Sequence, residues 1–179
     1  MKPIVLTPDP VLSQKTQPVE KINEEVKKIL QEMKEALLAA RDPRGVGLAA
    51  LQIGYPLQIF VIKPKEDSRI RYFINPKITA QAEELIKVPK QNTPLEGCLS
   101  IPNTWGMVKR RKWVTLTYFD QNGKEKTSTF KGFPAVVIQH EMDHLSGALF
   151  TTRVLEQKGK LYEIVKDKEG KESLKELPL

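Results

Sequence analysis

The chain contains two histidines, His140 and His144, with Glu141 directly after the first. Residues four apart share one face of a helix, so both imidazoles can reach a single cation while Glu141 projects beside it as a general base. Shuffling the same composition would produce this arrangement on the order of once in a thousand sequences, which makes the motif informative. The two imidazoles, with Glu141 and Asp143, would be costly to bury on an otherwise apolar segment unless a cation were their shared partner. Catalytic metal sites generally have three protein ligands and one position open to water. No third histidine exists, and the single cysteine, Cys98 in Glu96-Gly97-Cys98-Leu99-Ser100, is the outstanding candidate for the third ligand. A thiolate with two imidazoles suits zinc, iron, nickel or cobalt without choosing among them. Such an ion acidifies water and makes hydroxide available near neutral pH for attack on an amide.

A third segment, Gly45-Val46-Gly47-Leu48-Ala49-Ala50-Leu51-Gln52, superficially matches a dinucleotide-binding fingerprint. That fingerprint needs a preceding strand and a following helix in a parallel sheet, whereas this one follows an amphipathic helix and precedes a β-rich region. Its glycines, Gly47 among them, instead let backbone groups approach a substrate as an edge strand would. Gln52 can present an amide donor to the same cleft.

The elements that must position these groups follow from hydrophobic spacing. Apolar residues recur every three or four positions from Ile22 to Ala40, which predicts an amphipathic helix with Asn23 as N-cap and Arg41-Asp42-Pro43 as its stop. Residues 57–62, 71–78, 113–119 and 124–130 read as strands, the last two joined by an Asp120-Gln121-Asn122-Gly123 hairpin turn. Residues 79–95 read as a long loop with a short helical turn near 82–86. A second helix should begin at Pro134 and end before Gly147. It is apolar nearly all round, so sheet should cover it on both sides. Val136 and Val137 lie one turn before His140 and can wall an apolar pocket beside the metal. Residues 154–179 diverge into Lys- and Glu-rich sequence, interrupted by Gly170, whose end is expected to fray.

A length of 179 residues fits one domain over residues 1–179 with a core large enough to need no cross-link. One cysteine excludes an internal disulfide and a four-cysteine zinc module. The net charge of +7 is spread along the chain, which argues against specific DNA binding but favours weak encounter with anionic assemblies such as ribosomal RNA. No run is long and apolar enough to span a membrane, and the first residues resemble neither a secretory signal nor a transit peptide. The expected location is cytoplasmic, or organellar if a transit peptide has already been removed.

Together, and in this order, Gly-Val-Gly-Leu-Ala-Ala-Leu-Gln, Glu-Gly-Cys-Leu-Ser and His-Glu-Met-Asp-His-Leu-Ser-Gly closely resemble the peptide deformylase family. The likeness runs from about Asp9 to about Arg153. The resemblance implies an α+β fold with antiparallel sheets surrounding a central motif helix. It implies one divalent ion, ferrous in the cell, on Cys98, His140 and His144, with Glu141 as catalytic acid and base. Oxyanion donors would be the Gln52 side chain and the Leu99 backbone N–H. Val46 and Phe133 would join Val136 and Val137 around a methionine side chain, and the substrates would be N-formylmethionyl peptides of nascent chains. Two positions depart from the family's pattern: Trp105 stands where an arginine is common, and Thr152 where an aspartate is usual. Arg110 and Asp143 match structural positions and are expected to form an ion pair. Other readings of the same residues are a peptidase acting on internal amides and a non-catalytic module with a structural metal.

Overall fold

The computed structural model describes residues 2–41, 43–86 and 94–178. In chain order these form α1 (Glu24–Ala39), β1 (Gly47–Ala49), β2 (Ile59–Ile62), β3 (Arg71–Gln81), β4 (Glu96–Cys98), β5 (Ile101–Gly106), β6 (Trp113–Phe119), β7 (Glu125–Lys131), α2 (Phe133–Leu145), α3 (Phe150–Glu156), β8 (Leu161–Lys166) and β9 (Glu172–Glu176). All sheet pairings are antiparallel, in a five-stranded sheet β1-β2-β3-β6-β7 and a four-stranded sheet β4-β5-β8-β9. This is the expected α+β class.

The amphipathic segment forms α1 as its spacing predicts, with the Asn23 side chain accepting the Val26 N–H at 3.0 Å. Its stop falls at Ala40; Asp42 lies outside the described residues. The β2 sequence Ile-Phe-Val-Ile explains how one sheet holds two helices. Alternate residues point to opposite faces. Ile59 and Val61 pack with Met33 and Leu37 of α1, while Phe60 and Ile62 pack with Val137 and Ile138 of α2. Phe60 stacks on Phe73 at 4.5 Å between centroids, and Phe73 meets Tyr118 at 4.4 Å, fixing the α2 side of the sheet. The hairpin between β6 and β7 forms as read, with Asp120 accepting from the Asn122 and Lys124 N–H groups and Gly123 at φ +77°.

α2 starts one residue earlier than expected, with Pro134 inside its first turn and Gly132 before it at φ +62°. It lies between the larger sheet and a smaller cluster in which Cys98 packs with Val108, Phe150, Val154 and Leu161. After α2 the chain turns at Gly147, where a Cβ would come within 2.6 Å of the Ser13 carbonyl oxygen.

Two local expectations are corrected. Residues 82–86 form no helical turn; Leu85 bridges to Arg111, because β3 runs on to Gln81 and carries the chain beside that segment. The rest of this loop, residues 87–93 with Pro89, lies outside the described residues. The C-terminal segment is not interrupted at Gly170. That glycine, at φ +79°, sits in the connection between β8 and β9, whose registered pairing runs from Tyr162–Glu176 to Lys166–Glu172.

Candidate active site

The glycine-rich segment becomes β1 followed by a 3₁₀ turn at Ala50–Ile53, in an antiparallel sheet that cannot provide a dinucleotide fold. β1 is an edge strand of its sheet and β4 an edge strand of the other. Between them lies a cleft of about 440 Å³ lined by Val46, Gly47, Gln52, Cys98, Leu99, Phe133, Val136, Val137, His140 and Glu141. Every site residue singled out in the sequence lines this cleft except His144, which lies behind it against Cys98.

Cys98, Glu141 and His144 are each no more than 5% exposed. One potential ligand atom from each of Cys98, His140 and His144 lies within 4.8 Å of the others, a grouping found once among the described residues. Cys98 Sγ and His144 Nε2 are 3.3 Å apart. Sulfur and nitrogen sharing a tetrahedral ion at usual bond lengths would sit about 3.6 Å apart, so the spacing fits a common cation. Helical geometry sets the two rings 5.1 Å apart between centroids. His144 Nδ1 and Glu141 Oε2 are buried with no partner among the described residues, unpaired polarity of the kind that marks a functional site.

The polar frame around these groups is specific. Glu96 Oε2 lies 3.0 Å from His140 Nδ1, which leaves His140 Nε2 as the nitrogen available to an ion. Both Glu96 oxygens also accept from Arg110, at 2.8 Å each, and Arg110 reaches Asp143 at 2.6 Å. The expected Arg110–Asp143 pair is therefore present, and Arg153 closes the network on the other Asp143 oxygen at 2.9 Å. Burial works to raise the Glu96 carboxyl, but the hydrogen bonds from Arg110 and His140 prevail and hold it below its ordinary range. Burial, with lesser contributions from His140 and Arg110, holds His144 well below the usual imidazole range, in the neutral form that ligates metals. Burial pushes the Glu141 carboxyl up to about 7, with His140 opposing.

Gln52 is locked by three contacts. Its Oε1 accepts the Ala49 N–H at 2.9 Å, and its Nε2 donates to Ser100 Oγ at 3.0 Å and lies 3.4 Å from Cys98 Sγ. Gly47 is required by proximity. A Cβ there would overlap Glu141 Oε1 and lie 2.8 Å from Val137 Cγ1. Gly47→Ala is thus expected to shift Glu141 and lower the catalytic rate about a hundredfold without loss of metal, checked by steady-state kinetics and metal analysis.

The roles of Glu96 and Ser100 had no sequence signal beyond their places in the cysteine motif, since an isolated carboxylate or hydroxyl carries no periodicity. Glu96→Ala is expected to weaken metal affinity about 10- to 100-fold in chelator competition, because His140 loses the partner that orients it. Unchanged affinity would remove Glu96 from that role.

Comparison with known proteins agrees with this geometry. The sequence model of the polypeptide deformylase family matches residues 1–160. A peptide deformylase of Pseudothermotoga lettingae is 39% identical over 171 residues, covering 93% of each chain. One from Rhizobium meliloti is 39% identical over 153 residues, 84% of this chain and 83% of the relative. Among solved structures, the peptide deformylase of Thermotoga maritima superposes with TM-score 0.76 at 34% identity, covering 86% of this chain and 97% of its own. That of Ehrlichia chaffeensis in complex with actinonin gives 0.78 at 32%, covering 88% and 91%. Likeness of this extent in both sequence and backbone places the chain in the polypeptide deformylase family.

Proposed function

We propose that this chain is a metal-dependent hydrolase that releases formate from the N-terminal formylmethionine of nascent polypeptides. The observation that carries the reading is the convergence of the Cys98 sulfur and two imidazoles, with Cys98 and His140 lining a cleft between two edge strands and His144 directly behind it. A divalent ion held by Cys98, His140 and His144 would supply Lewis acidity, acidifying water and drawing charge from the formyl oxygen. The soft donor set admits iron, zinc, nickel or cobalt, and ferrous iron is the proposed ion in the cell.

The remaining chemistry belongs to the chain. Glu141 takes a proton from the water that attacks the formyl carbon and returns it to the amine nitrogen as the C–N bond breaks, leaving formate and a free amino terminus. The Gln52 amide and the Leu99 backbone N–H donate to the oxygen as it gains charge. Gln52 suits this task because Ala49 and Ser100 already fix its plane, which holds its second amide hydrogen beside Cys98 Sγ, next to the place where charge develops. β1 and β4 leave backbone groups to pair with an extended peptide, with Val46 and Gly47 on one side and Gly97 on the other. Val136, Val137 and Phe133 of α2, with Val46, receive the methionine side chain.

The chain acts as one unit over residues 1–179, since β8 and β9 extend the sheet that holds Cys98. Among the described residues no helix is long and apolar enough to cross a membrane. A cytoplasmic place beside the ribosome suits the substrate, and the net charge of +7 favours weak ribosome encounter. The test is formate release from formyl-Met-Ala-Ser by metal-loaded protein. Release from the formylated peptide with its internal bonds intact is expected. Cleavage of unformylated peptide into two fragments would favour a peptidase instead.

A further inference from the structure

Gly132 and Phe133 line the catalytic cleft, whereas their chain neighbours Lys131 and Pro134 line a second recess of about 630 Å³. Its walls are the end of β7 and the connection from β2 to β3, and three cations line it: Arg69, Arg71 and Lys131. All three are exposed. No acid lines the recess, and no acid among the described residues pairs with any of the three. Glu66, on the same connection, turns to Arg44 at 3.9 Å instead. By contrast, Lys160, Lys166 and Lys175 of the β8–β9 hairpin each hold an acid, so unmatched charge is not a general habit of this surface.

The recess offers donors and positive charge with nothing to neutralise them. Arg71 is held in place, its Cζ 5.7 Å from the centroid of the Phe130 ring. β7 is the outer strand of its sheet, so alternate backbone N–H groups along it are left free by β6. Guanidinium forks match phosphate oxygens two at a time, and a lysine adds a mobile point charge. Phe130 is buried beneath Arg71 and leaves no ring face on which a base could stack. Contacts of this kind take hold of a phosphate backbone and read no sequence. A lipid surface is planar and would meet cations on a flat or convex face, whereas a recess admits a thin strand. A strand held here would lie beside the entry to α2 and leave the cleft open.

We propose that the recess bounded by Arg69, Arg71 and Lys131 binds the phosphodiester backbone of RNA without regard to base sequence. The choice of RNA rests on the deformylase reading, because nascent chains are met at the ribosome. The test titrates the metal-loaded chain against a fluorescently labelled, mixed-sequence single-stranded RNA of about 20 nucleotides at several KCl concentrations, with anisotropy as the readout. Wild type is compared with R69Q/R71Q/K131Q and with K15Q/K28Q/K34Q, which removes the same charge from exposed positions that do not line the recess. The recess variant is expected to bind about tenfold more weakly and to flatten the plot of log K against log salt by about 2, since each phosphate contact on a single strand contributes about 0.7. The control variant should stay near wild type. Equal weakening by both variants, as net charge alone would give, overturns the inference. Displacement of the RNA by inorganic phosphate at matched ionic strength also overturns it, marking a site for the free anion. All three proteins should release formate from formyl-Met-Ala-Ser at the same rate, which shows that the variants fold. No RNA binding by a wild type that releases formate overturns this inference alone, whereas no formate from the wild type overturns the deformylase reading.

Discussion

Replacing Glu141 with glutamine will lower formate release about a thousandfold while the protein keeps its metal. Glu141 is buried, and its Oε2 lacks a partner among the described residues, so this carboxylate does not serve to hold the fold together. Glutamine has nearly the same shape and fits between Gly47 and Val137, so the rings of His140 and His144 should keep their positions. What is lost is the ability to accept a proton from water and return it to the amine. Turnover in the variant within a few-fold of wild type would exclude Glu141 as the acid and base.

Cys98→Ala should have the second large effect, through the metal. The thiolate is the one anionic ligand of the proposed three, and two neutral imidazoles alone bind a divalent ion far more weakly. Metal content measured after gel filtration is expected to fall well below one ion per chain, and formate release to fall with it. Stability should change little. Cys98 packs with Val108, Phe150, Val154 and Leu161, and removing one sulfur from that cluster costs about 1 kcal/mol, a small shift in thermal midpoint. A folded variant that retains one ion per chain would remove Cys98 from the site.

Much of this arrangement was legible in the residues because it follows from period and spacing. α1 carries a strong three-and-four repeat and a side-chain cap. The β6–β7 hairpin has Asp120 and Gly123 at the positions its turn requires. The histidine pair owes its meaning to helical geometry, which the chain realises in α2.

The parts that were not legible are those whose cause is tertiary. β4 has three residues, too few for any alternation to register, and its pairing with β5 shifts register between Gly97 and Cys98. The C-terminal hairpin is concealed because β9, Glu172–Glu176, is exposed at every position and shows no apolar face. Glu96 offered no pattern at all. Its importance comes from meeting His140 and Arg110, which lie 44 and 14 positions away. Around Thr152, α3 begins without a side-chain cap and the adjacent Arg153 ties it to Asp143.

The proposed chemistry requires Cys98, His140 and His144 to share one ion. The most direct measurement is a crystal structure of anaerobically purified protein, with anomalous diffraction recorded at the absorption edge of the metal found in solution. A single anomalous peak is predicted about 2.3 Å from Cys98 Sγ and about 2.1 Å from Nε2 of both histidines. A peak elsewhere, or full formate release from crystals and solution that contain no ion, would contradict it.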